Sequence, residues 1–187
     1  MEPIPPSPDT SAALLEAFEE RGIRFVPKKR VSAVEPGKAL FDDGSTEEFE
    51  LFMGVPKHRA PDVVQESGMT ENGYIPVDGP TLATGYSGVY AVGDVATVGV
   101  PKAGVFAERQ GAVVARAIIA ELTGGDHAEP YDGTGACWIE FGAGRVGRID
   151  VDFFSDNPRG TLSGPSTEFV AEKEHFGSSR RSRWFGL

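Results

Sequence analysis

Cysteine is nearly missing from this sequence: one residue, Cys137, in 187. A single thiol excludes an internal disulfide framework and a cysteine-built zinc cluster within the chain, and it fits a reducing compartment. Histidine is scarce as well, with His58, His127 and His175 far apart and at no ligand-like spacing. Positive charge is in deficit, 18 basic against 28 acidic residues for a formal charge of −10. A chain of that sign lacks the basic footprint that displaces counterions from nucleic acid. No apolar run reaches bilayer-spanning length, and MEPIPPSPDT has neither the basic region nor the apolar segment of a targeting peptide. These absences predict a globular, cytoplasmic chain without an integral membrane segment, of a size between one domain and two.

What is present reads as mixed α/β, locally α+β. Pro3 to Pro8 form an entering segment unsuited to a helix interior. Asp9, Thr10 and Ser11 then offer N-cap oxygens, Leu14, Leu15 and Phe18 an apolar stripe, and Gly22 a left-handed stop. IRFV (23–26), RVSAV (30–34) and KALFDDGSTEEFELFMGV read as strands, with Asp43-Gly44 as a turn. Residues 55–73 are loop and short helix, and YIPV (74–77) is a short strand. From Ala103 to Leu122, Phe106, Val113, Val114, Ala117, Ile118 and Leu122 recur at helical spacing, and Gly124-Gly125 ends the helix. After the linker DHAEPYDG, ACWIEF and RVGRIDVDFF alternate as a hairpin, and a final helix begins near Ser166 with Phe169 and Phe176 on one face.

Two glycine-bearing stretches invite a ligand reading. GAGRVG (142–147) spells a dinucleotide fingerprint, yet the alternating RIDVDFF comes after it where a helix is required, so it reads as a hairpin turn. In GVYAVGDVATVGVPKAGVFAERQG the order is strand, Gly93-Asp94, loop and helix start. Gly93 permits close approach to the backbone, and Asp94 is placed to accept hydrogen bonds from sugar-like hydroxyls. Lys102, Ala103 and Gly104 stand at the positive end of the long helix, where an anionic or electron-rich oxygen is favoured. The plain alternative is a strand-to-helix connection with Asp94 solvated or capping. The PKAG at residues 101–104 favours the ligand.

This stretch resembles the second flavin-binding segment of the pyridine nucleotide-disulfide oxidoreductase superfamily. The branch it is most similar to holds sulfide:quinone oxidoreductases, flavocytochrome c sulfide dehydrogenases and type II NADH dehydrogenases. LLEAFEERGIRFVPKKRVSAVEPGKALFDDGS and LFMGVPKHRAP resemble the later half of the family's inserted nicotinamide-type domain and its return to the flavin domain. GACWIEFGAGRVGRIDVDFF and AEKEHFGSSRRSRWFG resemble the C-terminal domain. The resemblance implies partial FAD/NAD(P)-binding Rossmann-like domains over 1–54 and 55–126, plus a small β-hairpin-and-helix domain over 127–187. It further implies FAD as cofactor, with NAD(P) as a candidate second nucleotide. Asp94 and Gly93 would then hold the ribityl or phosphate region of the flavin, and Lys102, Ala103 and Gly104 its pyrimidine edge.

The amino-terminal Rossmann unit with its G-x-G-x-x-G turn has no counterpart here. The resemblance therefore predicts the later half of such a flavoprotein, completed by an N-terminal half or a separate subunit. Cys137 falls where sulfide-oxidising relatives carry a redox cysteine, against the alternative of an inert strand thiol. Glu108 and Gln110 fall where relatives line a quinone or acceptor pocket, against the alternative of a polar helix face. Arg180, Arg181, Arg183, Trp184 and Phe185 suggest either a peripheral membrane or partner contact, or a helix end with the two aromatics packed on the core. The expected activity is electron transfer from NAD(P)H or a sulfur compound to a quinone or other acceptor. The rival expectation is a non-catalytic assembly module, for instance a homodimer.

Overall fold

The computed structural model describes residues 3–125 and 129–187. The chain divides into two compact units, residues 1–58 and 59–187. His127 and the boundary expected between residues 126 and 127 lie outside the described residues.

The first unit opens with α1 (Pro8–Glu20). The helix begins before the expected cap at Asp9–Ser11, because Pro8 occupies the first helical turn, where its missing N–H costs nothing. Ser11 instead reaches back to the incoming chain, its Oγ donating to Ile4 O at 2.9 Å and accepting from Ile4 N at 3.0 Å. Gly22, at φ 64°, ends the helix as expected. Three strands come next as an antiparallel meander, β1 (Val31–Glu35), β2 (Lys38–Phe41) and β3 (Thr46–Glu48). The Asp43-Gly44 turn is fastened by Asp43 Oδ1, which accepts from Ser45 N at 2.8 Å and from its hydroxyl at 2.5 Å. These bonds hold the Asp43 carboxyl below its ordinary range. The strand expected at residues 23–26 does not form. Its β-formers find no ladder partner among the described residues, and Ile23 is 51% exposed.

The second unit is built on a core of Ile75, Leu82, Ala91, Ala96, Val98, Val113 and Tyr131. Short β4 (Ile75–Pro76) pairs in parallel with β5 (Ala96–Thr97), after the small helix α2 (Asp62–Glu66). Residues 89–92 are extended but make no regular strand. Ala91 N donates to Leu82 O at 3.2 Å and Thr84 N to Val89 O at 3.0 Å, so a loop rather than a strand is their partner. The long helix α3 (Gly104–Thr123) matches its apolar period and ends on Gly124 at φ 68°. Phe106 and Val113 are buried along it, whereas Leu122 is 82% exposed.

The C-terminal sheet has three antiparallel strands in the order β6 (Thr134–Gly142), β7 (Arg145–Asp152) and β8 (Arg159–Ser166), one more than the hairpin expected. GAGRVG forms the β6–β7 turn, with Gly142, Ala143 and Gly144 all at positive φ. α4 (Phe169–Phe185) packs on the sheet through Phe176, whose ring lies 4.6 Å from Trp138. Arg148 of β7 reinforces the contact by donating to Glu172 Oε1 at 2.7 Å. Trp184 and Phe185 are 56% and 71% exposed, so the expected packing of these two on the core is not found. Among the described residues no helix is long and apolar enough to cross a membrane, and no cluster of histidine, cysteine or carboxylate side chains is placed to hold a metal ion.

Candidate cofactor-facing site

Gly93, Asp94 and Val95 form a single 3-10 turn where the extended segment meets α3. Gly93 adopts φ 72°, and a Cβ there would stand 3.2 Å from Ala107 Cβ. The positive φ favours glycine, the tight space adds to that preference, and the close neighbour is the side of α3. Asp94 is exposed, and its carboxylate takes no hydrogen bond or ion pair among the described residues. Lys102 reaches over the same turn, its Nζ donating to Asp94 O at 2.5 Å and to Ala96 O at 3.2 Å, and lying 3.8 Å from the Tyr74 ring centroid. Burial pulls this ammonium below the ordinary lysine range, and the Asp94 charge opposes that pull.

The start of α3 is open. Ala103 is the cap residue, extended at φ −147°, and no side chain caps the helix. Phe106 and Ala107 N–H groups both turn back to Ala103 O, at 3.1 and 3.2 Å. The amides of Gly104 and Val105 have no partner among the described residues and stand at the positive end of a 20-residue helix. The sequence therefore brings Asp94, Lys102, Ala103 and Gly104 to one edge of the second unit. The enclosed space among them measures about 10 Å³, the room of a single water. They present a face, not a closed pocket.

The remaining expected residues are arranged differently. Glu108 lies beside an open hollow shared with Trp138, Arg148 and α4, but both its oxygens are engaged. Oε2 accepts from Arg180 Nε at 2.8 Å and Oε1 from Arg183 at 2.8 Å, which ties α4 to α3. Arg180 is 25% exposed and Arg183 70%, so the first pair carries most of the attraction. A Glu108→Ala change is expected to cost about 1–2 kcal/mol in urea unfolding, more at low salt than at high. An unchanged midpoint at low salt would show that the latch contributes nothing.

Gln110 is 1% exposed and faces the interior, so it does not line an open acceptor pocket. A signal for this was present in the sequence: Phe106, Gln110 and Val113 share the buried face of α3 at spacings of four and three. Tyr131, buried at 2% beside it, lies in a linker with no periodicity to mark it.

Cys137 is a half-buried free thiol on β6, opposite Ile149. Burial raises its pKa and no charged neighbour acts on it. The folded state thus favours the protonated thiol, a stabilisation present below the ordinary thiol range and lost as pH rises through the raised value. At neutral pH, alkylation of Cys137 is expected to run slower in the folded chain than in urea. Equal rates would contradict this environment.

Residues 5–113 match the pyridine nucleotide-disulphide oxidoreductase family. The chain is 26% identical over 163 residues to a sulfide-quinone reductase of Aquifex aeolicus, covering 76% of this chain and 36% of that protein's length. A chain in the cryo-EM structure of the Tetrahymena thermophila mitochondrial ATP synthase F1Fo tetramer aligns at a TM-score of 0.63 with 25% identity, over 79% of this chain and 37% of its own. The family match spans the Gly93–Asp94 turn, the PKAG loop and the first half of α3. The chain belongs to the pyridine nucleotide-disulphide oxidoreductase family.

Proposed function

We propose that this chain contributes one wall of an FAD site in an oxidoreductase that passes electrons from NAD(P)H or a sulfur compound to a quinone or other acceptor. The observation that carries this reading is the free Asp94 carboxylate beside the uncapped start of α3. In this reading residues 1–54 belong to a nicotinamide-type domain, 55–126 to the flavin domain and 127–187 to a C-terminal domain. Asp94 accepts hydrogen bonds from ribityl hydroxyls, and Gly93 lets the turn sit against α3. The Gly104 and Val105 amides face the pyrimidine edge, where the helix end favours negative charge. Lys102 holds the turn and adds positive charge. The flavin, when bound, supplies the electron transfer; reduced flavin is anionic near N1 and O2, so the helix start raises its reduction potential.

The residues fit such a group as an open face, and the chain offers no glycine-rich loop for the diphosphate. Binding is therefore expected to be weak, with a Kd on the order of 0.1–1 mM, about −4 to −5.5 kcal/mol. Saturable quenching of FAD fluorescence in that range supports the reading, and no saturation up to several millimolar rejects it.

A second reading, self-association or pairing with a partner subunit, is favoured by one observation in the first unit: Leu51, Met53 and Val55 are 77%, 88% and 86% exposed. Analytical ultracentrifugation decides it, a monomer at tens of micromolar counting against self-association.

A further inference from the structure

Gln110 lies in the second turn of α3 with its side chain fully enclosed, and a buried amide is tolerated only where its polar atoms are matched. Its Oε1 accepts from Gly93 N at 2.7 Å. That N–H opens the 3-10 turn whose next residue is Asp94. The turn lies close enough to α3 that a Cβ on Gly93 would stand 3.2 Å from Ala107 Cβ, and the hydrogen bond fastens it to the same helix one turn further on. Beside the amide stands Tyr131, whose hydroxyl is buried with no well-formed hydrogen bond.

We propose that Gln110 is a positioning residue: by holding the Gly93 amide it sets the direction in which the Asp94 carboxylate leaves the turn. The role in ligand binding rests on the FAD reading above; the clamp itself does not. A carboxylate that must meet hydroxyls within hydrogen-bond distance needs a fixed backbone beneath it, and a three-residue turn at the surface, with Gly93 and Val95 half-buried, has little stiffness of its own. An amide bonded from inside the core supplies that stiffness without occupying the outer face.

The test uses the full chain labelled with ¹⁵N and two variants, Gln110→Met, similar in length but without the oxygen, and Tyr131→Phe. Wild-type Gly93 should be protected from hydrogen exchange. In Gln110→Met its exchange should rise at least about tenfold while the amides of Val113 and Ala117 stay protected, and the FAD Kd should rise about fivefold. Tyr131→Phe removes a hydroxyl that has no hydrogen-bond partner among the described residues and should leave Gly93 exchange unchanged, whereas a rise as large as that of Gln110→Met would contradict a clamp made by the Gln110 amide. Unchanged Gly93 exchange in Gln110→Met, or a rise shared equally by all of α3, overturns the clamp. If Asp94→Ala weakens FAD but Gln110→Met does not, the positioning role is overturned while the cofactor reading stands. If wild type takes no FAD at all, the cofactor reading fails and Gly93 exchange alone still decides the clamp.

Discussion

Replacing Asp94 with alanine is expected to raise the Kd for FAD about tenfold or more, because hydrogen bonds to a charged acceptor contribute about 1.5–3 kcal/mol each. The same change should leave the urea midpoint of the protein untouched. Asp94 is exposed and its carboxylate bonds to nothing among the described residues, so folding does not depend on it. Asp94→Asn keeps an acceptor oxygen but not the charge and should fall between the two. The pairing of a large binding effect with no stability effect separates a ligand-facing carboxylate from one that merely solvates or caps a turn. Measured by fluorescence titration and by urea unfolding on the same samples, an unchanged Kd for Asp94→Ala would remove the residue from the site.

The second large effect concerns packing beneath the site. Phe106 is 3% exposed, meets Phe153 edge-on at a ring distance of 5.7 Å, and lies against Gly135 so closely that a Cβ there would sit 2.5 Å from the ring. Phe106 belongs to the first turn of α3, Gly135 to β6 and Phe153 to the loop between β7 and β8. One ring therefore joins the helix start to the sheet. Phe106→Ala is expected to cost about 3–5 kcal/mol of stability, the usual range for deleting a buried aromatic. It should weaken FAD as well, since the Gly104 and Val105 amides lose their footing. Gly135→Ala should destabilise from the opposite side of the same contact. A loss below about 1 kcal/mol for Phe106→Ala would mean that this ring does not hold α3 to the sheet.

The parts of this fold that were legible are those fixed by local chemistry. The apolar period of α3 and its glycine stop identify the helix without help from tertiary structure. Asp43-Gly44 makes its turn with bonds inside three residues. GAGRVG is a turn because the residues after it alternate as a strand does. The parts that were not legible depend on partners. IRFV carries the residues of a strand but has no strand to pair with among the described residues. β8, RGTLSGPS, hides behind its glycines and Pro165, which an edge strand tolerates because one side of it bonds to no other strand among the described residues.

At the site the same division holds. Asp94 and the helix start were readable from order along the chain. The inward turn of Gln110 was written in its spacing from Phe106 and Val113 but is obscured by its polarity. The engagement of Glu108 by Arg180 and Arg183 joins residues 72 and 75 positions apart, which no local pattern records.

The central claim is that the Gly93–Val95 turn and the first amides of α3 face a flavin. Titrating FAD into the ¹⁵N-labelled chain and tracking each amide tests it most directly. The account predicts saturable shifts concentrated at Gly93, Asp94 and Lys102 through Val105, with the β6–β8 sheet unmoved. Shifts centred on that sheet, or none at all at millimolar FAD, would contradict it.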